Sequence, residues 1–271
     1  MKKDSYSTKL QEPEESALDC FQALTCEQGK ISPDATPGQE DILVVIMAGG
    51  LGSRLGELTK DRPKPMLSVG GKPILETIVC NLKNEGFRKF IFTVNYRSEQ
   101  IIEYFGNGEQ LGVNIQYVKE YKRMGTAGSL SLLQERVNGP MVVMNGDILT
   151  KTNLKEMLYF HLTTNSDATM CVQNMEFVVP FGVVDVDDTQ VININEKPTE
   201  RKMLNAGMYI LNGNLVKMIP EDTFYDMTTL LQTLLDKHKV SAFPISDYWI
   251  DIGREQDFYK ANLDYDVLFN I

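Results

Sequence analysis

A chain of 271 residues, 42% of them apolar and 24% charged, has the material for one large domain with a sizeable core. Its 27 basic and 37 acidic residues leave a net charge of −10, which argues against a nucleic-acid partner and against a polybasic membrane contact. Cys20, Cys26, Cys80 and Cys171 form no C-x-x-C pair and only His161 and His238 could join them, so free thiols in a cytoplasmic protein are expected rather than a zinc site. Met1 to Leu10 is polar rather than signal-like, and the apolar run 42–48 is too short to span a bilayer.

Residues 1–40 hold Lys, Glu, Ser, Pro and Gln with scattered apolar residues. They read as a mobile polar tail or linker with a short helix over 17–25, and the main domain begins near Asp41. From there strand and helix patterns alternate. Residues 42–47 are continuously apolar, as in a strand buried on both faces of a parallel sheet. Ile74, Leu75, Ile78, Val79 and Leu82 have helical spacing, and Gly86 ends that helix. Strands are predicted over 90–94, 113–118 and 141–144, with helices over 98–105 and 126–134 between them. After about residue 165 the pattern changes to strands over 168–172, 181–186, 191–195 and 206–211, then a helix over 227–235. Strands over 240–245 and 248–252 and a helix from about Glu255 complete the chain. The pattern predicts an α/β protein, a Rossmann-like doubly wound mixed sheet. Residues 41–165 form its nucleotide-type half, and 166–271 add a strand-rich part suited to covering a substrate.

The first chemical signal is Ala48-Gly49-Gly50-Leu51-Gly52-Ser53-Arg54-Leu55. Glycines let backbone N–H groups close around a phosphate, although a tight strand-to-helix turn has the same composition. The segment lacks the Gly-Lys-Ser/Thr of a P-loop and has Leu55 where a dinucleotide fingerprint needs its third glycine. Arg54 suits a triphosphate. Pro63-Lys64-Pro65 braces a lysine, which benefits a cation preorganised against phosphate more than a solvated one. Asn145-Gly146-Asp147 ends a buried strand, where an aspartate either holds Mg²⁺ beside phosphates or caps a turn. Trp249-Ile250-Asp251-Ile252-Gly253 offers a second carboxylate, with the single tryptophan as an anchor, and Glu196-Lys197-Pro198 offers a second braced lysine for a second anion.

Together these pieces resemble the sugar-1-phosphate nucleotidyltransferases (NDP-sugar pyrophosphorylases, in particular the mannose-1-phosphate guanylyltransferase-like members), with a glycosyltransferase-A-like nucleotidyltransferase fold. The resemblance runs through Leu58-Thr59, Pro63-Lys64-Pro65-Met66, Gly125-Thr126-Ala127-Gly128, Phe181-Gly182-Val183, Asn205-Ala206-Gly207 and the other segments above, in family order over about 42–265. Glu57 departs from the proline usual before Leu-Thr, which puts loop stiffness in question. The resemblance implies NTP + sugar 1-phosphate → NDP-sugar + pyrophosphate. It implies that Arg54 and Lys64 are catalytic. Ala48, Gly49, Gly50, Gly52, Ser53, Gly125, Thr126 and Asn145 would line the nucleotide. Gly182, Glu196, Lys197, Asn205 and Gly207 would hold the sugar phosphate, and Asp147 and Asp251 would hold Mg²⁺ as cofactor.

Glu120 lies five residues before Gly125, where uridylyl and thymidylyl relatives tend to carry Gln. A carboxylate only accepts hydrogen bonds, which suits guanine N1–H and N2–H₂, so Glu120 favours GTP as the partner. UTP, dTTP or CTP remain alternatives, as do a non-catalytic regulatory subunit and a cytidylyl- or molybdopterin-type transferase sharing the opening loop. The sugar and any homo-oligomer are left open.

Overall fold

The computed structural model describes residues 38–269. Residues 1–37 of the expected tail, including the short helix over 17–25, lie outside the described residues.

In chain order the strands are β1 Leu43–Met47, β2 Ser68–Val69, β3 Lys72–Pro73, β4 Lys89–Val94, β5 Asn114–Lys119, β6 Pro140–Asn145, β7 Ile148–Thr150, β8 Ala168–Val178, β9 Gly182–Asp187, β10 Gln190–Glu196, β11 Thr199–Asn212, β12 Val240–Ile245 and β13 Trp249–Asp251. The helices are α1 Ile74–Asn84, α2 Ser98–Phe105, α3 Gly125–Gly128, α4 Leu154–Thr163, α5 Met227–Leu234 and α6 Glu255–Leu268. Seven strands form one sheet in the order β12-β8-β11-β6-β1-β4-β5. Strand β1 pairs in parallel with β4 on one side and β6 on the other, so the chain reverses its direction of travel at β1, as a doubly wound sheet does. Strand β11 runs antiparallel to both of its neighbours and makes the sheet mixed. Strands from both parts of the chain therefore share one sheet.

Burial explains the pattern. Val44, Val45 and Ile46 of β1 are wholly buried because helices cover both faces of the sheet. Leu130, Leu133, Val143, Leu211, Leu230 and Leu234 belong to one apolar cluster that ties β6 and β11 to α5 and to the turn after α3. Each such side chain contributes about 1.5–3 kcal/mol by leaving water. No helix among the described residues is long and apolar enough to cross a membrane.

One predicted helix is altered. The segment 126–134 is a single α-turn, α3, followed by 3₁₀ backbone over Ser129–Leu133. The Ala127 and Gly128 N–H groups donate to Tyr225 O, both at 2.9 Å, and Ser131 Oγ donates back to Gly128 O at 2.7 Å, so tertiary and side-chain partners displace the α-helical ladder. The short hairpin β2–β3 and the strand β7 had no signal strong enough to predict them; β13 falls within the strand predicted over 248–252, and its antiparallel pairing with β7 is a tertiary outcome. The predicted strands over 181–186 and 191–195 form a separate two-stranded arm, β9–β10, whose residues are all exposed.

Candidate active site

The carboxyl ends of β1 and β6 lie side by side, with Met47 opposite Asn145. Gly146 N–H donates to Met47 O at 3.0 Å and Ala48 N–H to Thr93 O at 2.9 Å, so both loops leave the sheet at one crevice. Beyond β1, Ser53–Thr59 winds as 3₁₀ backbone, and Thr59 Oγ1 donates to Gly52 O at 3.0 Å, closing the loop on itself. Glu57 lies on the exposed side of this loop and pairs with Lys60 at 3.3 Å.

Lys64 sits in a 3₁₀ turn between Pro63 and Pro65 and is 7% exposed. Its ammonium pairs with Asp147 Oδ2 and lies 3.5 Å from Asp251 Oδ1. The pair β7–β13 brings the two aspartates together, with Asp251 opposite Ile148 in register. Trp249 Nε1–H donates to Ala206 O at 2.9 Å and anchors that segment on β11. Burial, and next the charge of Asp147, hold the Asp251 carboxyl above its ordinary range, while Lys64 and Arg54 pull it back. Asp147 Oδ1 and Asp251 Oδ1 are buried without a hydrogen-bond donor. Among the described residues no third His, Cys, Asp or Glu completes a protein cage there. Two carboxylates with unspent oxygens, open to phosphate and water as further ligands, are a donor set that fits Mg²⁺.

Two clefts flank these aspartates. One, of about 300 Å³, is lined by Gly49, Gly50, Arg54, Glu120, Gly125 and Thr126, and also by Asn145, Asp147 and Asp251. Its floor is Glu120, 7% exposed. A Cβ on Gly49 would stand 2.8 Å from Glu120 Oε1, so only glycine lets the carboxylate lie against that turn. Burial raises the Glu120 pKa. The Thr93 hydroxyl, the Met124 N–H and the Ser129 hydroxyl oppose that shift, although neither hydroxyl reaches full hydrogen-bond geometry. Gly125 has φ +76°, and a Cβ there would meet Tyr225 O at 2.7 Å, so the 223–226 segment packs directly on α3. The second cleft, of about 290 Å³, is lined by Asn205, Ala206, Gly207, Tyr209 and Trp249 and shares Thr126, Asn145 and Asp251 with the first. Asn205 Oδ1 accepts the Gly207 N–H at 3.0 Å and its Nδ2 donates to Tyr209 Oη at 2.8 Å, shaping the irregular stretch of β11.

Most residues singled out from sequence thus meet at the crevice. Ala48, Gly52 and Ser53 support or flank the loop without lining a cleft. Gly182 and Glu196 pair across the β9–β10 arm, and Lys197 follows with φ +48°; these three are exposed and line neither cleft. Phe224 and Asp226 line the first cleft, and Asp226 lines both, yet neither had been singled out. Glu221-Asp222-Thr223-Phe224-Tyr225-Asp226 contains no glycine or proline signature, so nothing local marked it.

Comparison with known proteins identifies the family of the chain. The chain is 33% identical over 232 residues to the bifunctional protein GlmU of Methanococcus vannielii, covering 80% of this chain but only 53% of that protein, so it spans about half of that relative's length. It is 33% identical over 217 residues to the D-glycero-alpha-D-manno-heptose 1-phosphate guanylyltransferase of Campylobacter jejuni, covering 79% of this chain and 96% of that one. The crystal structure of HddC from Yersinia pseudotuberculosis complexed with GMP-PN superposes with a TM-score of 0.66 at 28% identity, over 83% of this chain and 99% of that one. The nucleotidyl transferase family profile matches residues 43–267, and the chain belongs to that family.

Proposed function

We propose that the protein makes an NDP-sugar and pyrophosphate from GTP and a sugar 1-phosphate. The observation that supports this best is the convergence of Lys64, Asp147 and Asp251 between two clefts, one floored by the buried Glu120. In this reading residues 41–165 supply most of the nucleotide side and 166–271 most of the sugar side. Arg54 and the amides after β1 hold the β- and γ-phosphates. Asp147 and Asp251 would hold Mg²⁺, which when bound neutralises phosphate charge and orients both substrates. An oxygen of the sugar phosphate attacks the α-phosphorus in line, and the bond from that phosphorus to the bridging oxygen of the β-phosphate breaks. Lys64, already held at the crevice, stabilises the charge that develops on the α-phosphoryl group. The attacking phosphate is ionised, so no general base is needed.

Glu120 supports guanine, because two adjacent N–H donors satisfy a carboxylate better than a uracil edge does. The GMP-PN in the HddC complex and the guanylyltransferase name of the Campylobacter relative point the same way. Glu196 and Lys197 are assigned to the sugar phosphate end through the mobility expected of an exposed two-stranded arm, which has little packing to fix it. The free thiols of Cys80 and Cys171 suit a reducing cytoplasm.

The test is pyrophosphate release from GTP, UTP, dTTP and CTP against a panel of sugar 1-phosphates. GTP is expected to give the highest kcat/KM. Lys64→Ala should lower turnover by about 10²–10³-fold, the range for losing one stabilising contact to the transition state. Faster turnover of UTP or dTTP with every sugar would refute the guanine assignment. Release from no pair would leave a regulatory subunit as the better reading.

A further inference from the structure

Asp226 occupies the N-cap position of α5 but makes no side-chain cap. An aspartate there ordinarily accepts from the first-turn N–H groups of its own helix. Here Thr126 Oγ1 takes that role and accepts the Met227 N–H at 2.8 Å. The Asp226 carboxylate is thereby turned to the crevice, where Oδ1 accepts the Thr126 N–H at 3.1 Å and the Thr126 hydroxyl at 3.3 Å. Its Oδ2 has no hydrogen-bond partner among the described residues and is not fully buried, so it is free to accept from a ligand. Asp226 lines both clefts, at the boundary between them.

The cleft formed with Asn205, Gly207 and Trp249 is lopsided in charge. Asp226 and Asp251 line it, and no Lys, Arg or His does. Lys64 lies against Asp251, whereas Asp226 makes no ion pair among the described residues; Arg54 and Arg123 line the other cleft, not this one. An anionic substituent would be repelled there, a hydroxyl would donate a single hydrogen bond, and an ammonium would add a charge-assisted bond about twice as strong.

We propose that Asp226 selects the sugar, and that the preferred acceptor is a hexosamine 1-phosphate whose amine is free and protonated. This rests on the nucleotidyltransferase reading above but not on the identity of the base. Thr126 sits between the two substrates and ties the selection to the nucleotide side, because one hydroxyl both caps α5 and orients the carboxylate.

The experiment measures kcat and KM with whichever nucleotide gives most pyrophosphate. The sugars are glucosamine 1-phosphate, N-acetylglucosamine 1-phosphate, glucose and mannose 1-phosphates and glucuronic acid 1-phosphate. Wild type is expected to favour the free amine in kcat/KM at least tenfold over the neutral hexoses and to turn over the uronic acid worst. Asp226→Asn keeps an acceptor for Thr126 and removes the charge. It should raise KM for the amine about tenfold more than it raises KM for the neutral hexoses. A wild type that prefers acetylated or neutral sugars overturns the proposal without the variant, so a misfolded variant cannot shelter it. An equal loss for all sugars in Asp226→Asn also overturns it, leaving the carboxylate a packing role through Thr126. No pyrophosphate with any pair would instead sink the catalytic reading itself.

Discussion

A buried and a half-buried glutamate, Glu120 and Glu85, illustrate what a single side chain decides. Glu120 is held above the usual carboxylate range chiefly by burial. To bind guanine it must be ionised, and the ionised fraction falls as pH drops through the raised pKa. The KM for GTP should therefore rise on acidification before ordinary carboxylates titrate. In Glu120→Gln that dependence should flatten and preference should move toward UTP, as initial rates across pH would reveal. Glu85 is different: burial pushes it up to about 7, while its Oε2 accepts the Lys155 N–H at 3.1 Å at the start of α4. A carboxyl with a folded pKa above its unfolded value of 4.5 binds protons more tightly in the native state, so stability falls as pH rises from about 4.5 to 7. Allowing for partial exposure, the loss is about 2 kcal/mol. Thermal melts should show wild type losing roughly 4–8 °C across that window relative to Glu85→Gln, which keeps the acceptor but not the charge. Parallel curves for the two proteins would mean that Glu85 is solvated.

Among the elements, α3 is the informative case. Its residues were legible as a glycine turn opening a helix, but the helix stops after one turn because the 223–226 segment competes for its N–H groups. Gly125→Ala places a Cβ against Tyr225 O and Asp226 Oδ1 on a residue with φ +76°. The left-handed backbone alone costs about 1–2 kcal/mol with a side chain present, before the contact is relieved. The variant should melt several degrees lower, and its KM for both substrates should rise, since 223–226 borders both clefts. A melt unchanged from wild type would show that the segment can move away freely. The arm β9–β10 is the opposite kind of element. Its successive strands were legible, with Asp187-Asp188 as a hairpin-like connection between them, yet their separation from the main sheet was not, because a short turn names a strand's partner but not the sheet the pair joins.

For the molecule as a whole, the crevice concentrates negative charge in a protein that is already acidic overall. Ligands that bind the folded crevice and not the unfolded chain should nonetheless stabilise the fold by mass action. GTP with Mg²⁺ at about 100 times the dissociation constant should add about 2.7 kcal/mol, or roughly 5–10 °C in Tm. Chelation of the metal should reverse most of that shift. In Asp147→Asn combined with Asp251→Asn the metal-dependent part should vanish, and an undiminished shift there would remove both residues from the metal's ligands.

The sequence alone determined the alternation of strands and helices, the loop after β1, the braced Lys64 and the two aspartates. Each is written in local signals: burial period, glycine and proline geometry, and residue type at a strand's carboxyl end. Tertiary structure decided what those signals could not contain. Strand order set β1 beside β6, and the β7–β13 pair carried Asp251 to Asp147 across about a hundred residues of chain. The packing of 223–226 on α3 put Asp226 between the clefts, although nothing in its sequence neighbourhood marked it. Spacing along a chain encodes which face a residue takes; which residues meet depends on how the sheet is wound.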